Sequence, residues 1–188
     1  MLLAIDTSSL VLSCALAEKD RLISEWTVQR KLTHSEQLIP HLDNMMKDAG
    51  VSREEVTAVA CSLGPGSFTG LRIGLASIKM MACIWDVPLI GVDTLEALAW
   101  NMAGGEAYAL PIMDAQRGNV YAALYSVHGS EVIKGEQETV ISIDELTEKV
   151  SGLSVPVTAL GEAADKYADK LTEAGITLAP PAIRCCRA

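Results

Sequence analysis

Aromatic residues make up 4% of this 188-residue chain, with a single phenylalanine, so its core is built from Leu, Ala, Val, Ile and Met. Positive charge is also short: 15 Lys and Arg face 24 Asp and Glu, a formal net charge of -9. A surface that acidic repels phosphate and disfavours extended, sequence-independent contact with nucleic acid. The five cysteines, Cys14, Cys61, Cys83, Cys185 and Cys186, contain no CxxC pair. The first three lie in apolar runs and are expected to be small buried thiols in a reducing compartment. The opening MLLAIDTSS has no basic leader, and Asp6 interrupts its apolar run, so no signal peptide is expected. No stretch approaches the ~18 uninterrupted apolar residues of a membrane span. A cytoplasmic protein, with no membrane partner, is the expectation. With 49% hydrophobic and 21% charged residues, the chain has the composition of one globular domain or two small ones.

The pattern along the chain is α/β. Residues 2–6, 11–17 and 22–28 read as an antiparallel meander whose first strand is buried on both faces. Thr33-His34-Ser35-Glu36 has the form of a capping box opening a helix to Ala49, with Pro40 inside it and Gly50 ending it. A strand at 56–63, the turn Gly64-Pro65-Gly66-Ser67, a helix over Phe68–Trp85, a strand at 88–92 and a helix at 94–102 follow. Gly104-Gly105 marks a boundary, giving domains 1–103 and 104–188. Strands are expected at 108–113, 120–127 and 131–140, then a helix at 143–150, a strand at 155–160 and a helix at 162–174. Both halves begin with strands, and each first strand ends in an aspartate followed by a turn, which suggests two copies of one unit.

Four features bear on chemistry. The glycine-rich turn could bring backbone N–H groups and a helix N-terminus to a phosphate, but it lacks the lysine of a P-loop. Helix Phe68–Trp85 is apolar nearly all round, with only Arg72 and Lys79 charged, and Gly70 and Gly74 four apart would let a second backbone approach. One of its faces is thus a candidate subunit contact, the alternative being a central core helix. On that reading Gly74→Arg is expected to spare the fold and abolish the contact. The histidines His34, His41 and His128 have no spacing suited to chelation, since His34 and His41 are seven apart. Asp6, with Thr7 beside it, and Asp114 are candidates to flank a nucleotide or Mg²⁺, or else simply cap strand ends. No nucleophile–base–orienter set is visible.

LAIDTS, HSEQLIPHL, GPGSFTGLRIGLASIK, PLIGVDTLEALA and MDAQRGNVYAALY, in that order, resemble the TsaB (YeaZ) family. The resemblance implies a two-domain actin/Hsp70-like (ASKHA, ribonuclease H-like) fold. It also implies a non-catalytic subunit beside TsaD, which transfers threonylcarbamoyl to adenosine 37 of tRNA, with the ATPase TsaE joining them and tRNA touched only indirectly. Family contacts use the first two helices, both with TsaD and in a competing homodimer. Here that face is assigned to His34, Leu38, Leu42, Met45, Gly70, Leu71, Gly74, Ser77, Ile78 and Met81. No cofactor is expected in the isolated subunit, with ATP or ADP expected only at the assembled interface. Catalytic relatives carry an HxxxH metal motif where this chain has Thr94 and Leu98, and those side chains cannot replace two imidazoles. Family members usually continue beyond Pro180-Pro181 to Ala188 with a helix packing back on the first domain. The competing expectation is an independent ASKHA-type ATPase or small-molecule kinase. A zinc peptidase is disfavoured by the missing histidines.

Overall fold

The first half assembles around β1 (Leu2–Asp6), a strand with neighbours on both edges and Leu3 and Ile5 buried in the core. This computed structural model describes residues 1–19, 21–29, 34–135 and 138–188, and of His34 the backbone only. Antiparallel β2 (Val11–Glu18) and β3 (Arg21–Gln29) lie on one side of β1, and parallel β4 (Ala58–Gly64) and β5 (Leu89–Asp93) on the other, in the order β3-β2-β1-β4-β5. Alternation along β2 sends Leu12, Cys14 and Leu16 to one face, where they meet α1 (His34–Asp48) and α2 (Phe68–Trp85) through Leu38, Leu42, Met45 and Ile78. Each such buried aliphatic side chain contributes roughly 1.5–3 kcal/mol. Pro40 lies within α1, and Gly50 at φ +67° follows the helix as expected. Of the capping box, Thr33 lies outside the described residues.

The second half repeats the plan around the long β6 (Gly105–Asp114). On its antiparallel side, β7 (Asn119–Ala122) pairs with residues 112–114 and β8 (Tyr125–Gly129) with residues 105–109. Beyond them lie β10 (Thr139–Ser142) and β9 (Glu131–Lys134), while β11 (Val157–Leu160) and β12 (Thr177–Leu178) run parallel on the other side. With β7 and β8 taken as one broken strand, and β9 and β10 as another, the order is that of the first sheet. The expected strands at 120–127 and 131–140 are therefore each two strands, and residues 136 and 137 lie outside the described set. The break falls at Ala123-Leu124, where the Leu124 carbonyl accepts from Gly135 N–H at 2.8 Å instead of continuing the ladder. A period-two pattern carries no mark of such a bend, because the same face stays apolar across it.

Helix α4 (Ile143–Ser151) is capped by Ser142, whose hydroxyl accepts from Glu145 N–H. The single helix expected at 162–174 is two, α5 (Glu162–Lys166) and α6 (Ala168–Glu173), parted at Tyr167 with φ -115°. The short β12 and α7 (Pro181–Arg184) had no periodic signal to betray them. By contacts the chain divides into Met1–Thr94 with Cys186–Ala188, and Leu95–Cys185. Helix α3 (Thr94–Trp100) thus falls mainly with the second unit, ahead of the Gly104-Gly105 pair taken as the boundary.

Candidate functional site: the strand-end turns and the glycine-bearing helix

The turn after β1 is buried throughout, from Asp6 to Ser9. Ser8 N–H and Ser8 Oγ donate to Asp6 Oδ1 at 3.0 and 2.9 Å, and Ser62 Oγ on β4 donates to Asp6 Oδ2. The carboxylate therefore fastens the turn and ties β1 to its parallel neighbour. Thr7 Oγ1 donates to the Gly70 carbonyl at 2.8 Å, and Ser67 N–H donates to the Ser8 carbonyl at 2.6 Å. Ser67 also caps α2, its hydroxyl accepting from Gly70 N–H at 3.2 Å.

These contacts explain the glycines of GPGSFTGLRIG. A Cβ on Gly70 would sit 2.0 Å from the Thr7 carbonyl oxygen, one on Gly74 2.2 Å from Thr7 Oγ1, and one on Gly66 (φ +156°) 2.2 Å from the Ser8 carbonyl oxygen. The backbone that approaches α2 so closely is the chain's own β1–β2 turn. Gly74→Arg is accordingly expected to disrupt the first unit rather than spare it, which reverses the expectation formed from spacing alone.

Asp114 ends β6 in the same way. Gln116 N–H donates to its Oδ1 at 3.1 Å, as Ser8 N–H does to Asp6, and Lys166 Nζ donates to its Oδ2 at 2.8 Å. That hydrogen bond, followed by one with Tyr167, raises the Lys166 pKa above its ordinary value. The turn that follows holds Gln116, Arg117 and Gly118 at φ +68°, +54° and +84°, closed by Ala115 N–H to the Asn119 carbonyl at 3.0 Å. Asp6 and Asp114 thus occupy equivalent places in different units, each engaged by groups of its own unit. Because Lys166 is exposed and its pair with Asp114 is screened by solvent, Lys166→Ala is expected to leave the midpoint of a urea unfolding curve nearly unchanged.

The ten residues assigned to a two-helix contact sort by burial. Leu38, Leu42, Met45, Gly70, Gly74 and Ile78 face inward and are buried, and Leu71, Ser77 and Met81 are half-buried. The His34 side chain lies outside the described residues. The outer faces carry other residues: Ile39 is 48% exposed, Phe68 74%, Met80 62% and Ile84 63%. Between α1 and α2 runs an open groove of about 590 Å³, lined by Ile39, Asp43, Met46, Lys47, Met81 and Trp85 among others. His41 stacks on Trp26 of β3, with ring centroids 3.6 Å apart and planes 18° from parallel. Its Nε2 lies 2.8 Å from Gln37 Oε1. Among the described residues α2 is the one helix long and apolar enough to cross a bilayer, by length and composition alone. It lies instead along the first sheet, with one stripe buried.

Thr94 and Leu98, one turn apart on α3, are both fully buried, and Thr94 Oγ1 has no hydrogen-bond partner. Of the thiols, Cys14, Cys61 and Cys186 are buried, but Cys83 is exposed on the outer face of α2. That corrects the reading of Cys83 as a core thiol, because a helix apolar on every side does not announce its outer stripe. Burial pushes the Cys14 thiol up to about 12. Burial, then the nearby Asp6 carboxylate, raises that of Cys61. A maleimide reagent on the native protein should therefore label Cys83 and leave Cys14 and Cys61 untouched until urea is added. Because Cys14 ionises from an ordinary 9.0 when unfolded and only near 12 when folded, its contribution to stability is full below pH 9 and falls as pH rises toward 12. The difference in alkaline unfolding between the parent and Cys14→Ala chains measures it.

The family model described as "TsaD: tRNA N6-adenosine threonylcarbamoyltransferase" matches residues 28–181. The tRNA threonylcarbamoyladenosine biosynthesis protein TsaB of Bacillus subtilis (strain 168) is 32% identical over 160 residues, 85% of this chain and 70% of that protein. Its namesake in Escherichia coli (strain K12) is 30% identical over 181 residues, 94% of this chain and 78% of that one. Among solved structures, YeaZ from Pseudomonas aeruginosa superposes with a TM-score of 0.77 at 24% identity, covering 98% of this chain and 86% of that one. The ethanolamine utilization protein EutJ from Carboxydothermus hydrogenoformans gives a TM-score of 0.56 at 10% identity, over 97% of this chain and 85% of that one. Both likenesses bear on the fold, which is the actin/Hsp70-like α/β fold in two copies. With the doubled sheet, the paired strand-end aspartates and relatives matched along most of its length, the chain belongs to the TsaB (YeaZ) family.

Proposed function

We propose that this chain is a non-catalytic subunit of tRNA threonylcarbamoyladenosine synthesis, which binds TsaD through the outer faces of α1 and α2 and supports its transferase reaction. The observation that carries this reading is the apolar surface of Ile39, Phe68, Met80 and Ile84 on two adjacent helices, in a chain whose relatives are named for that pathway. Patches of this kind are where soluble proteins meet partners. The contact residues are then the exposed ones, with Leu71, Ser77 and Met81 at the margin. TsaE joins the larger complex, and a homodimer through the same helices competes with TsaD.

The non-catalytic role rests on Thr94 and Leu98, which stand where catalytic relatives carry their two metal-binding histidines. A buried hydroxyl and a buried isobutyl group offer a divalent metal neither charge nor imidazole. A net charge of -9 favours leaving the tRNA backbone to other subunits, in the cytoplasm. Nucleotide, as ATP or ADP, would bind at the assembled interface, with Asp6, Thr7 and Asp114 the candidates nearest that chemistry. As an independent ATPase or kinase the chain would need those carboxylates for Mg²⁺, whereas Asp6 is engaged by Ser8 and Ser62, and Asp114 by Lys166.

Co-purification with TsaD and TsaE, followed by a tRNA modification assay with and without this chain, tests the reading. Modification that requires the chain, together with no ATP turnover by the chain alone, is expected. ATP hydrolysis by the isolated chain that is lost in Asp6→Asn would overturn it.

A further inference from the structure

The outer face of α2 carries two exposed sulfur side chains, Met80 and Cys83. Of the seven methionines, Met45, Met46 and Met113 are buried, and the others are half-buried except Met80, which is 62% exposed. Its neighbour Met81 packs against the core of the first unit, and Met80 is not part of that core. The fold therefore does not depend on this side chain. Met80 stands one helical turn from Ile84, also exposed, and the two lie in the apolar surface assigned to docking. What happens to its sulfur is felt only where a partner covers it.

A thioether is apolar yet open to two-electron oxidation. A sulfur lone pair attacks one oxygen of hydrogen peroxide, and the S–O bond forms as the O–O bond breaks. The sulfur loses two electrons and becomes a sulfoxide; the other oxygen leaves as water, taking the proton of the oxygen transferred. In the free chain the new S=O dipole is hydrated and the fold is undisturbed. In a docked complex the dipole must be stripped of water against apolar surface, which is unfavourable unless a donor meets it. A flexible apolar anchor thus becomes a polar one, and sulfoxide reductases can return it to the thioether.

We infer that Met80 is a site of reversible oxidation by peroxide, and that its sulfoxide weakens docking. This rests on the reading of the two-helix face as the surface that binds TsaD, and adds a chemical control to it. Exposure sets the order of attack, so limited hydrogen peroxide should place the first oxygen on Met80, as read by peptide mass spectrometry. Met45, Met46 and Met113 should stay unmodified until urea is added. The melting temperature of the singly oxidised chain should match that of the untreated one, while its affinity for TsaD falls about tenfold or more. Reductases for both sulfoxide epimers should restore that affinity. Met80→Leu has no thioether at this position, and the same peroxide should change its affinity less than about twofold from its own untreated value. Dithiothreitol after the peroxide step reverses sulfenic acid and disulfide at Cys83 and leaves a sulfoxide in place.

A first oxygen on another methionine overturns the inference. So does a chain oxidised at Met80 that binds TsaD like the untreated chain, a loss that dithiothreitol reverses, or a Met80→Leu chain that loses affinity as the parent does. Ile84→Asp separates this inference from the reading beneath it. If that variant fails to bind TsaD while the Met80-oxidised chain binds normally, only the oxidation switch falls. If Ile84→Asp binds like the parent, the docking face falls and the switch with it.

Discussion

Ile84→Asp, alone or with Phe68→Asp, is expected to abolish co-purification with TsaD and the tRNA modification that depends on it, while the melting temperature barely moves. Both side chains are largely solvated, Phe68 at 74% and Ile84 at 63% exposure, and substitutions at such positions usually change stability by less than ~0.5 kcal/mol. In a docked complex the same carboxylate would have to be stripped of water against apolar surface with no cation supplied. An uncompensated buried charge costs ~3–5 kcal/mol, which is a loss of more than about 100-fold in affinity. Leu38→Ala gives the converse control. It should lower stability by ~2–5 kcal/mol, because Leu38 packs in the core of the first unit. Its effect on TsaD binding should follow only from that loss. Undiminished modification with the Ile84→Asp chain would remove α2 from the docking face.

The second large effect is in folding. Gly70→Ala adds one methyl group, yet that carbon would lie 2.0 Å from the backbone oxygen of Thr7. A backbone atom cannot rotate aside, so either α2 or the β1–β2 turn must move, with loss of the hydrogen bond from Thr7 to the Gly70 carbonyl. A cost of at least about 2 kcal/mol is expected from overpacking and the broken bond together. Gly74→Ala should cost less, because the atom in its way is Thr7 Oγ1, at 2.2 Å, which can turn if it gives up its own bond. Gly50 supplies the reference: a Cβ there meets nothing within 4 Å, and only its φ of +67° opposes alanine, so about 1 kcal/mol is expected. Urea unfolding should rank the three as Gly70, Gly74, Gly50. Equal losses at Gly70 and Gly50 would mean that the contact with Thr7 carries no energy.

The elements that could be read from the sequence are those whose ends carry chemical punctuation. Helix α2 runs over Phe68–Trp85 as expected, because the Gly64-Pro65-Gly66-Ser67 turn marks its start. The doubling of the fold was visible in two aspartates, each after an apolar strand, before any pairing was known. What escaped were changes of direction within one apolar face, at Ala123-Leu124 and at Tyr167, where side-chain character continues while the backbone turns. The faces of α2 were hidden for a related reason: where every stripe is apolar, periodicity has no contrast to report. The glycines held that information. Gly70 and Gly74 mark the stripe that must come closest to another backbone, so the residues a half-turn away, Arg72, Ala76 and Lys79, are the ones left to solvent.

The seating of α2 on the Asp6–Ser9 turn has a mechanical consequence. With no clearance at Gly66, Gly70 or Gly74, the turn and the helix have no freedom to slide past one another. An 18-residue helix is ~27 Å long, and its far half is held as well, by Ile78, Met81 and Trp85 against the core of the first unit. Turn, helix and sheet therefore shift only as one body, and a displacement of the Asp6–Ser9 turn carries Ile84 on the outer face with it.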